Sequence, residues 1–468
     1  MGPQEAPAAA SEGRREAPRS GAPSAHRGGE SKGAPPSVEL ERRLGPLDAA
    51  AIVISNVIGG GIFFVPIIVA GLVPNPTAML GVWLAGGALA FAGAMAYAEL
   101  AAVRPHAGGE YVYLRDAYGP LAAFLTGWTS FIAGFSGAIA ASAVALADYV
   151  GRFIPLAPGA KPVVSIAGIA VLTWIHVRGL GPGRLVQNTL AGVKVSAIVV
   201  LIALGFSIGH GNAAHLAGAG AVVPVSWLLA LVPVMFSYSG WNAAVYVAEE
   251  VRDPSRNVPL ALALGTVTVV ILYVGLNALY VFALPMGELA ALPGGRLMDT
   301  VAERLFGFAA GSVIALFTIV SIAASISAMV LAGPRVYFAM ARDGMFVRAA
   351  GRVHPRFHTP AAAIVAQAVW SSVLVLSGTL AQLVTYTGFA VVLFAAVAVS
   401  ALFVLRRRDP GATRRFSALG YPWAPAIFVV ASVGMVANSF WRDPASSVAG
   451  VALIAAGVPV YYMIRARG

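Results

Sequence analysis

The 468-residue sequence contains no cysteine. That absence excludes disulfides, thiolate metal sites, cysteine catalysis and any disulfide-linked partner subunit. Charge is also scarce: Asp, Glu, Lys and Arg make up 11% of the chain, where a soluble domain carries about 25%. HExxH is missing, as is a pair of intramembrane aspartates, and GxSxG occurs only at GESKG (29–33) in the tail and GFSIG (205–209) at the end of an apolar span, away from the strand-to-helix turn that motif serves. The chain is therefore not expected to be an enzyme. Rings of charge and a repeated filter segment, which an ion channel would need, are missing too. His354 and His358 in VHPRFHTP lie four apart, but Pro355 breaks helical spacing. No metal and no cofactor is expected.

Apolar length fills the space that charge leaves. The chain is 58% hydrophobic with a mean hydropathy of +0.79, and runs of about 20 apolar residues, enough to cross a bilayer core, recur from Leu47 to Ile464. Twelve helical spans are expected: 47–73, 77–103, 118–150, 162–178, 184–209, 225–249, 258–284, 311–340, 360–378, 381–405, 422–440 and 444–464. Residues 1–45 differ, alternating Pro, Gly, Ser and charges of both signs as in EGRREAPRSGAPSAHRGGESKGAPPS. They read as a disordered tail. They are not a signal peptide, because the first apolar run comes late and exceeds the length of a removable h-region.

The net charge of +11 does not indicate nucleic acid. With the amino terminus inside, 25 of the 31 Lys and Arg fall in cytoplasmic segments, 5 fall in outer loops and one, Lys194, lies within a span. The positive-inside rule predicts that bias for twelve helices with both termini in the cytoplasm. Arg406, Arg407, Arg408, Arg414 and Arg415 form the densest basic loop, able to fix topology or meet anionic headgroups.

Two spans contain costly interruptions. SNVIGGGIFFVP places Gly59, Gly60 and Gly61 inside the first span, at roughly 1 kcal/mol each relative to alanine. PVMFSYSGWNAAVYVAEE interrupts the sixth at Ser237, Ser239, Gly240 and Asn242. Five spans separate the two starts, so the second copy enters the membrane inverted, and the pattern reads as a five-plus-five inverted repeat, about 47–209 and 225–405, followed by two extra helices over 422–464. Irregular backbone survives at membrane depth only beside protein or a polar cavity. Freed N–H groups would favour a carboxylate and freed carbonyls an ammonium, which together suit an α-amino acid zwitterion. Close helix packing is the competing use of such glycines, and Gly81, Gly86, Gly87 and Gly93 in the second span fit it.

These segments, with YAELAAVRPHAGGEYVYLRDAYGP from Tyr97 and FSYSGWNAAVYVAEEVRDPSRNVPLAL from Phe236, resemble the amino acid-polyamine-organocation (APC) superfamily of amino acid permeases, particularly its bacterial L-type branch. The resemblance runs from about Leu44 to the end. It implies an all-α fold of the leucine-transporter type with discontinuous helices 1 and 6, in a prokaryotic cytoplasmic membrane. It also implies that backbone at Val57, Gly60, Gly61, Phe236, Ser237 and Ser239 binds the substrate's amino and carboxylate ends. Phe236 would close the pocket from outside, with Trp241 and Asn242 alongside; Trp241 suits ordinary packing equally. Relatives often have Gly where Ser239 stands.

Lys194 is the one ionisable residue placed near the middle of a span, about 15 Å along the helix from Arg184, too far for its stem to snorkel. It must face protein or water. The resemblance implies that its ammonium stands where relatives hold sodium, either as a proton carrier or as a fixed cation bracing the first break. Ser321 and Ser325, at i and i+4, would line this region or bond their own helix. Glu249, Glu250, Arg252 and Arg256 read as an inner gate network, and Asp148 as a solvated helix end. With no acidic or basic side chain in the middle of the first, third, sixth, eighth or tenth span, neutral amino acids are the expected substrate. Amines, polyamines and a non-transporting sensor are the alternatives.

Overall fold

The computed structural model describes Gly2 and residues 40–217, 220–293, 297–307, 310–377 and 380–467, of which 380–389 and 467 are described in backbone only. The tail expected over 1–45 lies outside the described residues up to Glu39. From Pro46 the chain is helical: α1 (Pro46–Val57), α2 (Val65–Leu72), α3 (Pro76–Val103), α4 (Glu110–Tyr118), α5 (Pro120–Thr129), α6 (Phe135–Val150), α7 (Ala160–Val177), α8 (Leu180–Ser207), α9 (Pro224–Tyr238) and α10 (Ala243–Tyr246). Then come α11 (Pro254–Ala283), α12 (Met286–Ala291), α13 (Leu297–Phe306), α14 (Ala310–Ala332), α15 (Pro334–Arg342), α16 (Ala361–Ser377), α17 (Leu380–Arg408), α18 (Trp423–Arg442), α19 (Pro444–Ala455) and α20 (Gly457–Arg467). Among the described residues no strand occurs, only an isolated bridge between Leu44 and Val251.

Proline explains many of the helix starts. Pro46, Pro76, Pro120, Pro224, Pro254, Pro334 and Pro444 each open a helix, where the missing N–H has no intrahelical acceptor to lose. Among the described residues ten segments are long and apolar enough to cross a bilayer; Pro46–Val57 and Ala361–Ser377 are shorter apolar helices. With α2 completing the broken first span, these give the twelve expected.

The second span, α3, packs along α9 and α11. Its glycines make that approach possible: a Cβ on Gly86 would stand 2.5 Å from Val234, and one on Gly87 2.6 Å from Val270. Gly93 likewise accepts the rings of Trp241 and Phe428. The packing role expected of this span therefore holds at those three positions, whereas Gly81 has only ordinary contact with Trp227. Between α5 and α6 the chain widens into a π-bulge over Ser130–Gly134, a distortion that concentrates at functional sites.

The basic loop after α17 is held by the bundle. Glu99, buried in α3, accepts from Arg406 Nε at 2.8 Å, and its second oxygen accepts from the Ala418 amide at 2.7 Å. Arg406 also covers the Tyr421 ring.

Candidate functional site

The first break lies between α1 and α2. Helix α1 ends at Val57, Ile58 turns out with ψ 77°, and Gly61–Phe63 form a single 3-10 turn. In a continued helix the Gly59 amide would donate to the Ser55 carbonyl; it donates instead to Val57 O at 2.7 Å. Ser55 and Ile58 thus present carbonyls without a backbone donor. Lys194, fully buried in α8, supplies one: its ammonium donates to Ile58 O at 2.5 Å, Ser55 O at 3.3 Å and Ser325 Oγ at 3.0 Å. Those three bonds use all three ammonium protons. Ser325 Oγ lies 2.9 Å from Ser55 O, 3.0 Å from Ile58 O and 3.2 Å from Ser321 O, so its hydroxyl serves either the break or its own helix. The Ser321 hydroxyl is buried and has no partner among the described residues.

The second break lies between α9 and α10. Ser239 leaves the helix with ψ 144°, and Gly240 follows at φ +98°, a conformation that side chains disfavour. A Cβ there would also meet Asn56 Nδ2 at 2.6 Å. The two breaks touch. A Cβ on Gly61 would stand 2.7 Å from Ser237 Oγ and 3.0 Å from Ser237 Cα, while Gly60 faces open space. The Tyr273 hydroxyl of α11 sits between them, 2.9 Å from Val57 O and 3.1 Å from Ser237 O.

Two cavities adjoin this region. The larger, about 360 Å³, lies among α2, α9, α17 and α18 and is lined by apolar side chains including Ile68, Leu72, Pro233 and Phe236, with Asn438, Ser439 and Arg442 from α18. Phe236 is 39% exposed, with its ring 6.3 Å from that of Phe64. The smaller, about 210 Å³, contains the polar groups: Asn56, Ser239, Gly240, Trp241 and Asn242 meet Thr126, Thr129 and Ser130 of the π-bulged span, with Phe394 and Phe428 opposite. Trp241 both lines this cavity and packs edge-on against Tyr97 and Phe428.

Glu110 corrects the sequence reading. Placed by sequence in a connection between spans, it lines the smaller cavity, where it accepts on Oε1 from the Tyr97 hydroxyl and Asn242 Nδ2, each at 2.6 Å. Asn242 Nδ2 also lies 3.0 Å from the Tyr246 hydroxyl. Burial raises the Glu110 carboxyl above the usual carboxylate range, opposed by the donors Tyr97, Asn242 and Tyr246. The premise that the site lacks an acidic side chain fails because the Gly108–Gly109 turn, at φ +107° and +50°, folds the start of α4 under the bundle.

The charged residues expected to form an inner gate network, Glu249, Glu250, Arg252 and Arg256, do not pair with one another. Glu250 makes a fully buried pair with Arg335, at 2.8 and 2.9 Å. Glu249 pairs with Arg342 and accepts from the Ala107 amide. Arg252 contributes its backbone instead, donating to Leu44 O at 2.9 Å beside the Leu44–Glu250 bond. Arg256 forms no ion pair among the described residues. Asp148, expected to be solvated, is exposed and paired with Lys161. His354 Nδ1 accepts from the Arg356 and Phe357 amides, closing a turn.

Two broken helices facing each other, one held by a buried lysine, match what the sequence resemblance implies. A family model described as amino acid permease matches residues 44–464. The chain belongs to the amino acid permease family. The serine/threonine exchanger of Bacillus subtilis is 29% identical over 92% of this permease and 98% of its own length. The human large neutral amino acids transporter small subunit 2 is 29% identical over 93% and 84% of the two chains. The human cystine/glutamate transporter is 30% identical over 91% and 86%. These relatives are amino acid transporters or exchangers, and this permease is a multi-pass membrane protein of that kind. Sequence reasoning missed Glu110, Tyr273 and Arg335. Tyr273 and Arg335 read as ordinary members of their runs, and only GGEY flagged an acid beside a turn.

Proposed function

We propose that this permease is a secondary active transporter that moves amino acids across a cytoplasmic membrane by alternating access, without chemical conversion and independently of sodium. The observation that carries the reading is the pair of facing breaks with the Lys194 ammonium on the freed Ser55 and Ile58 carbonyls. A cation is already bonded where one would be needed. The substrate's carboxylate takes the N–H groups of Gly60 and Gly61, its ammonium takes carbonyls at Phe236, Ser237 and Ser239, and its side chain occupies the cavity beyond Gly240, Trp241 and Asn242. The Val57 carbonyl, which accepts from the Gly59 amide and the Tyr273 hydroxyl, holds the shape of the break. Ser321 and Ser325 support the break from α14. Rocking of the first, second, sixth and seventh spans against the others exposes the site alternately.

Both termini lie in the cytoplasm in this reading, and Phe236 is the outer gate. Coupling is proton symport or exchange. Neutral side chains suit the apolar and hydroxyl lining, and the relatives named for serine/threonine and for large neutral amino acids support that class. Uptake of a panel of labelled amino acids into proteoliposomes, with and without a pH gradient and with and without sodium, tests the reading. Accumulation driven by exchange or by the pH gradient, indifferent to sodium and weakened at least tenfold by Gly60→Leu, is expected. Unchanged affinity in Gly60→Leu defeats the placement of the site.

A further inference from the structure

The wall of the smaller cavity holds a carboxylate with no counter-ion. Arg104 near it pairs with Asp116, and Arg115 with Asp116 and Asp343; among the described residues Glu110 forms no ion pair. Tyr97 and Asn242 both bond Oε1 and Tyr246 also bonds the carboxylate, three donors on a group with about four lone-pair sites, so the carboxylate keeps acceptor capacity toward the cavity that it lines. The groups packed around it are Tyr97 from α3, Tyr113 on its own helix, and Asn242 and Tyr246 from the second break. None of them carries positive charge. Ser130 Oγ on the facing bulge is buried and unpartnered among the described residues.

An acceptor with spare capacity in a cavity wall rewards a ligand that donates to it and penalises an isostere that cannot. We propose that Glu110 is a specificity-determining residue: the remaining acceptor capacity of its carboxylate selects amino acids whose side chains donate a hydrogen bond, by hydroxyl, amide or ammonium, over apolar isosteres and over acidic side chains. This rests on the transport reading above and redraws its substrate class around side-chain donors, admitting a cationic side chain beside the neutral ones. Asn242 ties the carboxylate to the second break, so the same contact that reads the side chain adjoins the backbone that binds the zwitterion.

The test uses matched pairs that differ only in the donor: L-threonine against L-valine, and L-lysine against L-norleucine, as competitors of labelled uptake in proteoliposomes. In the wild-type protein threonine and lysine are each expected to compete at least about tenfold better than their partners, in line with a hydrogen bond to a charged acceptor. Glu110→Met, similar in length but without an acceptor, brings both ratios close to one. Glu110→Gln, which keeps an acceptor and loses the charge, collapses the lysine ratio and retains part of the threonine ratio.

Robust uptake with no preference in either wild-type pair overturns the inference and leaves the transport reading standing. A loss in Glu110→Met that is equal for both members of each pair also overturns it, because Glu110 then only positions Asn242 and Tyr97. Uptake of none of the labelled amino acids by the wild-type protein defeats the transport reading itself, and this inference with it.

Discussion

The two breaks solve one problem differently. The first, at Ile58–Gly60, is braced by a cation: Lys194 occupies the carbonyls that α1 leaves behind. The second, at Ser239–Asn242, has no cation; it depends on Gly240 at φ +98° and on Asn242 hydrogen-bonded to Glu110. One break is held electrostatically through its acceptors, and the other by backbone conformation and an acidic neighbour. The carboxylate of Glu110 lines the smaller cavity, whereas the Lys194 ammonium sits behind the first break on the Ser55 and Ile58 carbonyls.

Removing the brace is expected to have the largest effect. Lys194→Ala leaves Ser55 and Ile58 carbonyls buried without their donor, at about 1–3 kcal/mol per group, and uptake should fall about a hundredfold or more with a lowered unfolding temperature. Uptake close to wild type would mean that the first break supports itself, and the contrast between the breaks would disappear. Next comes Gly240→Ala, which forces a side chain into the left-handed region and against Asn56. It should cost about 1–3 kcal/mol and lower uptake by at least tenfold. Alanine at Gly60, which faces open space, should leave thermal stability within about 1 kcal/mol.

Tyr273→Phe tests the link between the breaks. It removes the hydroxyl shared by Val57 and Ser237 carbonyls, and a loss of about 1–2 kcal/mol is expected by thermal unfolding, with uptake reduced severalfold. An unchanged unfolding temperature would show that the breaks are held independently. The smallest effect concerns pH. The Glu110 carboxyl is raised by burial, so on acidification it takes up its proton at a higher pH than a free carboxylate. The lysine-over-norleucine preference should therefore be full above that pKa and fade as pH falls through it. A preference that stays flat down to the range of a free carboxylate would place the discrimination elsewhere.

The spans and both breaks were legible in the sequence because each rests on local physics. Bilayer thickness sets the length of an apolar run, and only Gly and small polar residues interrupt a helix where the surroundings can satisfy its backbone. Lys194 was legible for the same reason, since a lone ammonium far from a span end must face a partner. Glu110, Tyr273 and Arg335 were not. Arg335 lies near a span end and was counted with the surface, yet it meets Glu250 from 85 positions away in a fully buried pair. Tyr273 donates across 216 positions to Val57, and nothing in its apolar neighbourhood marks that hydroxyl.

The sequence by itself determined that this chain is a helical membrane bundle, where its helices break, and that one cation is trapped inside. Tertiary structure alone decided what those features meet. Which carbonyls Lys194 takes, which tyrosine joins the breaks and which carboxylate reaches the cavity depend on how α3, α4, α8 and α11 pack around α1 and α9. Hydrogen-bond partners at long separation are chosen by three-dimensional proximity, which hydropathy and local propensity do not encode.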